Sequence, residues 1–358
     1  MGNLMQSYIV RQPEALQAIL DHAADNLEPF IEKYHQAPMR RIVLAGAGSS
    51  FHALNMARPF CREMMHMPVF ACTPAQFDWQ DQSISRDTLV VVASQSGTST
   101  NTLAMVRKLR EAGFTVAAIT QYPSSPVARA ADCHVLLDIP EEKTGPKTMG
   151  VTGTILTMQI LAAELAYRKG LVPDADLSSF YTNIRAMIGN MSGNITATVQ
   201  WCADLAEVFL KSGFFCAVGQ GDHSAIAGES ALKLIETVRK PAMSYELEEI
   251  IHGPAWVFGL ESSLLYLGAP WEEATRPAAL CDLCEFKGGK SYRIFLDGDG
   301  PRINGSALAL KDTGDQNLCA YALLLPAQVM SAYLPPQMNI DLDLKSSNPY
   351  ASILAGHL

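Results

Sequence analysis

The chain has 358 residues, a length that favours two or three domains over one core. Its residues are 48% hydrophobic and 18% charged, which excludes a disordered or collagen-like chain. The net charge of -9 and the lack of a Lys/Arg run disfavour nucleic acid and anionic membranes as partners. The first residues do not follow the pattern of a signal peptide, so we expect a cytoplasmic protein.

Short apolar runs alternate with segments of helical spacing along the chain. After a helix predicted over 12–34, five strands are predicted, and a helical connector over about 153–211 leads to five more. The connector includes the most apolar stretch, which Thr, Gln and Glu interrupt, so we expect a buried helix there. The ten strands are predicted at 40–46, 67–73, 88–94, 115–120, 134–139, 214–220, 241–246, 263–268, 292–298 and 320–325.

This alternation predicts parallel sheets with helices on both faces, in two copies of one unit. The copies agree best at "IVLAGAGSSFHALNMA" and "FCAVGQGDHSAIAGES", where a strand, a G-x-G and a helix follow one another. We therefore predict an α/β protein with two three-layer αβα domains and parallel, flavodoxin-like sheets. The predicted segments are an N-terminal helical segment at 1–36, domains at 37–175 and 206–345, a helical connector at 176–205 and a tail at 346–358.

Two turns that follow predicted strands are rich in glycine and hydroxyl groups. In the first, Gly48, Ser49 and Ser50 lead into a helix whose free N–H groups can hold an anion, although a serine that caps the helix is the alternative. In the second, 94–99 reads Ser-Gln-Ser-Gly-Thr-Ser, a run of neutral donors suited to a phosphate dianion. A polar loop that only caps its helix is the alternative there.

The strings "GAGSS" and "SQSGTSTNT" resemble the sugar isomerase (SIS) domain family, which binds phosphosugars, and the likeness covers nearly the whole chain. The chain most resembles the isomerase half of glucosamine-6-phosphate synthase and the fructosamine-6-phosphate deglycases. The resemblance implies that five side chains hold the sugar phosphate and that Gly48 and Ser49 line the sugar. The five are Ser50, Ser94, Gln95, Ser96 and Ser99.

The predicted helix 224–238 carries Glu229, Lys233 and Glu236 on one stripe, because they stand at i, i+4 and i+7. Such a stripe indicates either a solvated face with an i,i+4 ion pair or a catalytic surface over the sheet. A carboxylate and an acid together can move a proton between adjacent sugar carbons. Lys233 and Glu236 are therefore candidates for the catalytic site.

The string "ELEEIIHGPAW" resembles the E-x-x-H-G-P segment of the same families, sixteen residues after a helical glutamate. By that resemblance Glu236 moves the proton, His252 assists ring opening, often from the neighbouring subunit, and Glu249 orients His252 or binds substrate. Glu142 matches an acidic active-site residue of the synthase. Lys147 has no counterpart there, and it contacts substrate or caps the turn.

The sequence predicts no metal site, no nucleotide fingerprint and no cofactor. Its eight cysteines are not a disulfide framework, and we interpret Cys281 and Cys284 as ordinary helix positions despite their CxxC spacing. One predicted helix precedes the first domain, where the synthase carries a glutaminase domain, so we expect no ammonia transfer from glutamine. The tail, with Lys345 as the last lysine and an "NP" before an aromatic residue, loosely resembles that of the deglycases.

The predicted function is cleavage of the C–N bond of a ketosamine 6-phosphate, which yields hexose 6-phosphate and a free amine. The alternatives are a glucosamine-6-phosphate deaminase, an aldose–ketose isomerase, or a regulator that binds phosphosugar without catalysis. The partner is a phosphorylated sugar or amino-sugar derivative. We expect a homodimer or larger homo-oligomer with shared active sites.

Overall fold

A computed structural model describes residues 3–80, 85–269, 272, 274–343 and 356, with the side chains of 78–80 left out. The chain divides into two compact units of three segments each, and one of the boundaries falls within the long helix α9 (Asp174–Lys211). The N-unit comprises Glu14–Glu142, Met149–Thr182 and Lys345–Leu358. The C-unit comprises Met1–Pro13, Lys143–Thr148 and Asn183–Leu344.

The N-unit contains a five-stranded parallel sheet in the order β2-β1-β3-β4-β5. All six residues of β3 are buried, as expected for the central strand of a sheet covered on both faces. The order is that of flavodoxin-like sheets and reverses between β1 and β3. The strands are β1 (Arg41–Gly46), β2 (Val69–Cys72), β3 (Thr88–Ala93), β4 (Thr115–Thr120) and β5 (Cys133–Leu136).

Helices cover both faces of this sheet. Leu103, Val106 and Val127 pack with Val90 and Val92 on one face, and α3, α4 and α8 lie on the other. The sheet and the helices on its two faces form the three layers of this unit, held together by the apolar residues that face the sheet. Its helices are α2 (Gln12–Asp21), α3 (Ala23–Tyr34), α4 (Ser49–Met65), α5 (Pro74–Gln80), α6 (Thr100–Glu111), α7 (Pro126–Ala130) and α8 (Met149–Arg168).

The C-unit contains a six-stranded sheet in the order β10-β11-β9-β8-β6-β7. Read from β7, its first five strands repeat the order found in the N-unit, which is the topology expected of a duplication. The sixth strand, β10, which sequence analysis did not predict, pairs antiparallel with β11 at the edge of this otherwise parallel sheet. The strands are β6 (Phe214–Gly219), β7 (Ala242–Glu246), β8 (Ser262–Gly268), β9 (Lys290–Asp297), β10 (Arg302–Asn304) and β11 (Ala307–Lys311).

Helices also cover both faces of the second sheet. Leu280, Cys281 and Cys284 pack with Val218 and Leu264 on one face, while α10 and α14 lie on the other. The two cysteines of the CxxC pair are therefore core residues of a helix, as expected. The helices are α1 (Leu4–Val10), α10 (Ser224–Val238), α11 (Leu247–Ile250), α12 (Thr275–Phe286), α13 (Ala320–Leu323) and α14 (Leu325–Gln337).

The predicted strands are confirmed except for 320–325, which is helical, and two strands, β10 and β11, were not predicted. A short apolar run cannot be assigned to strand or helix by periodicity alone. This one consists of Ala, Leu and one Tyr and continues as an apolar segment to Gln337, a length and composition that favour a helix. The helix predicted over 12–34 is two helices, α2 and α3.

Two helical segments, Met149–Arg168 and Gln316–Gln337, are long and apolar enough to cross a membrane, but nearly all of their residues are buried inside the protein. They are core helices of their units, as predicted for the first. The tail features used above, Lys345 and 348–350, lie outside the described residues.

Candidate functional site

The two turns rich in glycine and hydroxyl groups lie side by side in the N-unit. β1 and β3 are adjacent parallel strands, and Gly46 at the end of one pairs with Ala93 at the end of the other. The strand order reverses between them, and such a switch point is where open α/β sheets bind ligands. The sequence could not show this adjacency, because β2 lies between the two strands along the chain.

The first turn requires glycine at two positions. A Cβ on Gly46 would lie 2.8 Å from the backbone carbon of Ser50, and Gly48 has a φ of +54°. Gly48 is the N-cap of α4, so Ser49 and Ser50 are its first two residues and neither caps the helix. The capping alternative for the serines is therefore wrong, and their hydroxyls lie at the N-terminus of α4, where an anion is stabilised.

The second turn, 94–99, is a tight loop between β3 and α6. Gly97 has a φ of +66°, and a Cβ there would lie 2.0 Å from Ser125 Oγ. Within the described part of the chain, the backbone N–H groups of Gln95, Ser96 and Ser99 donate to no backbone acceptor. A loop that leaves several N–H groups unsatisfied can hold an oxyanion.

Hydrogen bonds within this loop fix the positions of its hydroxyls. Ser96 Oγ lies 2.8 Å from Thr98 Oγ1. Ser99 is the N-cap of α6, but its hydroxyl makes no cap and donates to Asn101 Oδ1 at 2.6 Å. The capping alternative is therefore wrong for this serine also. The hydroxyl groups are ordered before any ligand arrives, which lowers the entropy cost of binding.

Glu142 acts as a support for the loop. Its carboxylate accepts hydrogen bonds from Met149 N and Gly150 N at 3.0 and 2.8 Å, which caps α8, and from Gln95 Nε2 at 3.1 Å. It is 5% exposed. A Cβ on Gly150 would lie 1.9 Å from Gln95 Oε1, so this glycine, which sequence analysis missed, makes room for the loop glutamine.

Lys147 belongs to the C-unit and is half-buried. Its Nζ donates to the backbone oxygen of Thr144 at 2.7 Å. The turn contact that sequence analysis offered as one alternative is therefore present. Contact with substrate stays a prediction.

The charged residues of α10 form a buried cluster in the C-unit. The side chains of Glu229 and Lys233 are 1% and 2% exposed, so the solvated-face alternative is wrong for them. Lys233 Nζ lies 3.5 Å from Glu229 Oε1 and donates a short hydrogen bond to Glu236. Glu236 is 38% exposed and joins this buried cluster to the surface.

The cluster keeps Lys233 charged. Burial opposes the ammonium form, but the negative charges of Glu229 and Glu236 and their hydrogen bonds more than offset it and raise the pKa of Lys233. An ammonium group fixed beside Glu236 holds that carboxylate in one place. The buried Glu229 is a further member that sequence analysis did not rank among the catalytic candidates, because burial is not visible in the spacing of charges.

The segment after β7 places Glu249 and His252 at the surface. Glu246 caps α11 by accepting from Glu248 N and Glu249 N, and it also accepts from Gly221 N at 2.9 Å. The contact between Glu249 and His252 is a backbone hydrogen bond of 3.2 Å from His252 N. Among the described residues no hydrogen bond joins their side chains, so an orienting role for Glu249 stays a prediction.

His252 lies in an exposed apolar surface of the C-unit. Leu260 and Phe286 are 86% and 88% exposed, and Trp256 is 79% exposed. Lys287 links the neighbouring segments, because its Nζ lies 4.6 Å from the ring centre of Trp256. Exposed apolar patches of this kind mark interaction surfaces. We call it the His252 surface, comprising Ile251, His252, Trp256, Val257, Leu260 and Phe286.

Comparison with known proteins agrees with this geometry. Residues 35–164, which contain both turns, match the SIS domain. The chain thus contains a SIS domain at residues 35–164. It is 25% identical over 325 residues to glutamine--fructose-6-phosphate aminotransferase [isomerizing] of Clostridium tetani, covering 90% of this chain and 53% of that one. The chain thus spans about half the length of the curated relatives it matches.

Two solved structures share the fold of this chain over nearly its whole length. A protein of Clostridium difficile 630, named provisionally as a phosphosugar isomerase, superposes with a TM-score of 0.90 at 22% identity, covering 99% of this chain and 98% of that one. The C-terminal domain of glucosamine-fructose-6-phosphate aminotransferase from Francisella tularensis gives a TM-score of 0.87 at 21% identity, covering 96% and 98%. At such identities the likeness establishes the fold alone.

Proposed function

We propose that this protein cleaves the C–N bond of a ketosamine 6-phosphate and releases hexose 6-phosphate and a free amine. The phosphate binds Ser50, Ser94, Gln95, Ser96 and Ser99, and the sugar lies against Gly48 and Ser49. Glu142 supports Gln95 in this role. The loop that supplies most of these groups has backbone N–H groups that donate to no backbone acceptor among the described residues, and its hydroxyls are hydrogen-bonded, which supports a dianionic ligand.

The observation that carries the catalytic proposal is the cluster of α10. Proton transfer in an open-chain sugar needs a carboxylate held in place yet accessible, and Glu236 is bound to a buried cation while 38% exposed. Glu236 takes a proton from C1 of the ketosamine and delivers one to C2, while the nitrogen loses its proton and the C2 oxygen gains one. The product has a hydroxyl at C2 and a C1=N imine. Water then adds at C1, the C–N bond breaks, and the amine leaves with the proton it needs.

Two further residues have proposed roles at the sugar. His252 assists ring opening, and Glu249 binds substrate; both are exposed on the C-unit. The His252 surface supports the proposal that a second copy of the chain packs there, so that His252 completes the site of its neighbour. A two-fold interface would repeat this contact and form two such sites in each dimer.

The test is a substrate panel followed by one substitution. Purified protein is incubated with fructosamine 6-phosphates, glucosamine 6-phosphate and fructose 6-phosphate, and the hexose 6-phosphate and the amine are quantified. Glu236→Gln should lower turnover by about 10²–10⁴-fold and leave substrate affinity intact, because an amide cannot accept the proton. Turnover of the variant within about tenfold of the wild type would remove Glu236 from the mechanism.

Glu28→Gln is the matched control. Glu28 is also an ion-paired helical glutamate, 43% exposed and 3.0 Å from Arg168, but it belongs to no proposed site. The control should keep wild-type turnover. A loss in both variants would indicate damage to the fold instead of loss of a base.

Aldose–ketose isomerisation is the second candidate. It is favoured by the relative from Clostridium tetani, whose name describes it as isomerizing. The same base would move a proton between C1 and C2 of a hexose 6-phosphate without loss of an amine. Interconversion of fructose 6-phosphate and glucose 6-phosphate, with every ketosamine in the panel left intact, would select this reaction.

A further inference from the structure

A second group of titratable side chains lies beyond the carboxyl ends of β6 and β8 in the C-unit. His223 follows β6 and precedes α10, and Glu272 follows β8. The two strands are adjacent and parallel, with Gly219 paired to Leu267. They correspond to β1 and β3 of the N-unit, so the group occupies the place at which the N-unit carries its phosphate loop.

The imidazole of His223 lies between Glu272 and Cys319 and contacts both side chains. His223 Nδ1 lies 2.6 Å from Glu272 Oε1, and His223 Nε2 lies 3.0 Å from Cys319 Sγ. Cys319 precedes α13 and comes from a third part of the unit. A sulfur beside one ring nitrogen and a carboxylate on the other is the arrangement in which a base activates a nucleophile and a third group orients the base.

Hydrogen bonds also fix the position of the Glu272 carboxylate. Glu272 Oε2 accepts a hydrogen bond from Tyr266 OH at 3.2 Å and another from Ala269 N at 3.0 Å. Cys319 Sγ also lies 3.0 Å from the backbone oxygen of Gln316, which accepts the thiol proton when the sulfur is neutral. The imidazole is thus fixed in the orientation that keeps Nε2 toward the sulfur.

The surroundings favour a charged imidazolium. Burial opposes the charge on His223, but the neighbouring Cys319 sulfur and the Glu272 carboxylate more than offset it and raise the pKa of His223 to about 10. A positive imidazolium 3.0 Å from the sulfur gives Cys319 the electropositive surroundings in which reactive cysteines lie.

We propose that Cys319 is a reactive thiol of this protein, oxidised by peroxides and alkylated by small electrophiles, with His223 as its base and Glu272 as the positioning residue. In the oxidation, the sulfur attacks one peroxide oxygen and an S–O bond forms while the O–O bond breaks. The leaving hydroxide takes the proton from His223 Nε2 and departs as water. Cys319 becomes a sulfenic acid, and the peroxide is reduced.

The other cysteines provide an internal comparison. Burial raises the pKa of Cys61, Cys202, Cys216 and Cys284 to about 12, and it also raises the pKa of Cys133, which is half-buried. These thiols are inert at neutral pH. If exposure alone set the rate of reaction, Cys133 and Cys72 would react before Cys319, which is 5% exposed. If activation by His223 sets the rate, Cys319 reacts first.

The first experiment labels the wild-type protein with iodoacetamide at limiting time and maps each cysteine by mass spectrometry. Cys319 should react before Cys133 and Cys72, because only Cys319 lies beside an imidazole that a carboxylate holds in place. A Cys319 that reacts more slowly than either of them would overturn the proposal. No substrate is present, so the result is independent of the proposed deglycase reaction.

The second experiment removes the activating groups. His223→Gln and Glu272→Gln should each lower the labelling rate of Cys319 at pH 7, the former by at least about tenfold, because the imidazole that acts as the base of the thiol is removed. His134→Gln, which removes a half-buried histidine bound to Thr120, is the control and should change nothing at Cys319. Exposure to hydrogen peroxide, followed by dimedone, should tag Cys319 in the wild type and the control; an untagged Cys319 would refute its oxidation.

Discussion

The buried cluster of α10 predicts a large loss of stability when its cation is removed. In Lys233→Met the side chain keeps its length and its apolar stem but loses the ammonium that lies 3.5 Å from Glu229 and binds Glu236. Glu229, with a side chain 1% exposed, would then be buried without its cation. Breaking a buried pair in this way costs about 3–5 kcal/mol, so the free energy of unfolding should fall by that amount.

The assay is urea denaturation followed by circular dichroism and tryptophan fluorescence. A double variant, Glu229→Gln with Lys233→Met, should regain most of the loss, because replacing both partners of a buried pair is far less costly than removing one. Lys290→Met is the control, since Lys290 is exposed and its removal should change the free energy by no more than about 0.5 kcal/mol. A loss below about 1 kcal/mol in Lys233→Met, or no recovery in the double variant, would refute the reasoning.

The pH dependence of the stability difference follows from the direction in which the pKa of Lys233 is shifted. The pKa of Lys233 is raised in the folded state, so its stabilising contribution is fully present below the unfolded pKa and is lost only as pH rises through the folded pKa. The difference between wild type and Lys233→Met should therefore stay constant from about pH 6 to pH 9, below the ordinary lysine range. A difference that vanishes near neutral pH would contradict a charged Lys233.

Three further predictions follow from the turns and from the His252 surface. Alanine at the first two serines of the 94–99 loop should raise KM for phosphorylated substrates, because each hydrogen bond to a dianion contributes about 1.5–3 kcal/mol; an unchanged KM would place the phosphate elsewhere. Gly97→Ala should cost more stability than Gly48→Ala in thermal unfolding, since both have positive φ but only the first adds an overpacking cost of about 1–3 kcal/mol; equal losses would contradict this. Mixed Glu236→Gln and His252→Ala chains, each inactive alone, should regain up to about half the activity per hybrid dimer if His252 serves its neighbour, whereas no recovery would argue for a site built within one chain.

Much of the fold could be predicted because its signals are local. A strand buried on both faces, such as β3, is an almost continuous apolar run rich in valine, and α10 shows clear helical spacing. Prediction of 320–325 failed because six apolar residues fit a buried strand and a buried helix equally well. The edge strand β10 was missed because Arg302–Asn304 is short and exposed, so it carries no apolar pattern.

The candidate site also has some features that the sequence predicts and others that it does not. Hydroxyl-rich turns after strands can be seen in sequence, and so can the glycines that such turns require at Gly48 and Gly97. The support of Gln95 by Glu142 could not be predicted from spacing, because the two residues are 47 positions apart. The same holds for Cys319, His223 and Glu272, which come from separate segments and meet only when β6 and β8 are paired.

The sequence by itself determined which residue types follow each strand, because hydrophobic periodicity and glycine positions act over a few residues. It did not determine which of them are buried. Glu229, Lys233 and Glu236 have the spacing of an ordinary surface ion pair, and only the packing of α10 against the sheet removes the first two from water and leaves the third accessible. Burial strengthens every charge interaction it permits, so the chemistry of these groups depends on long-range contacts that no short stretch of sequence contains.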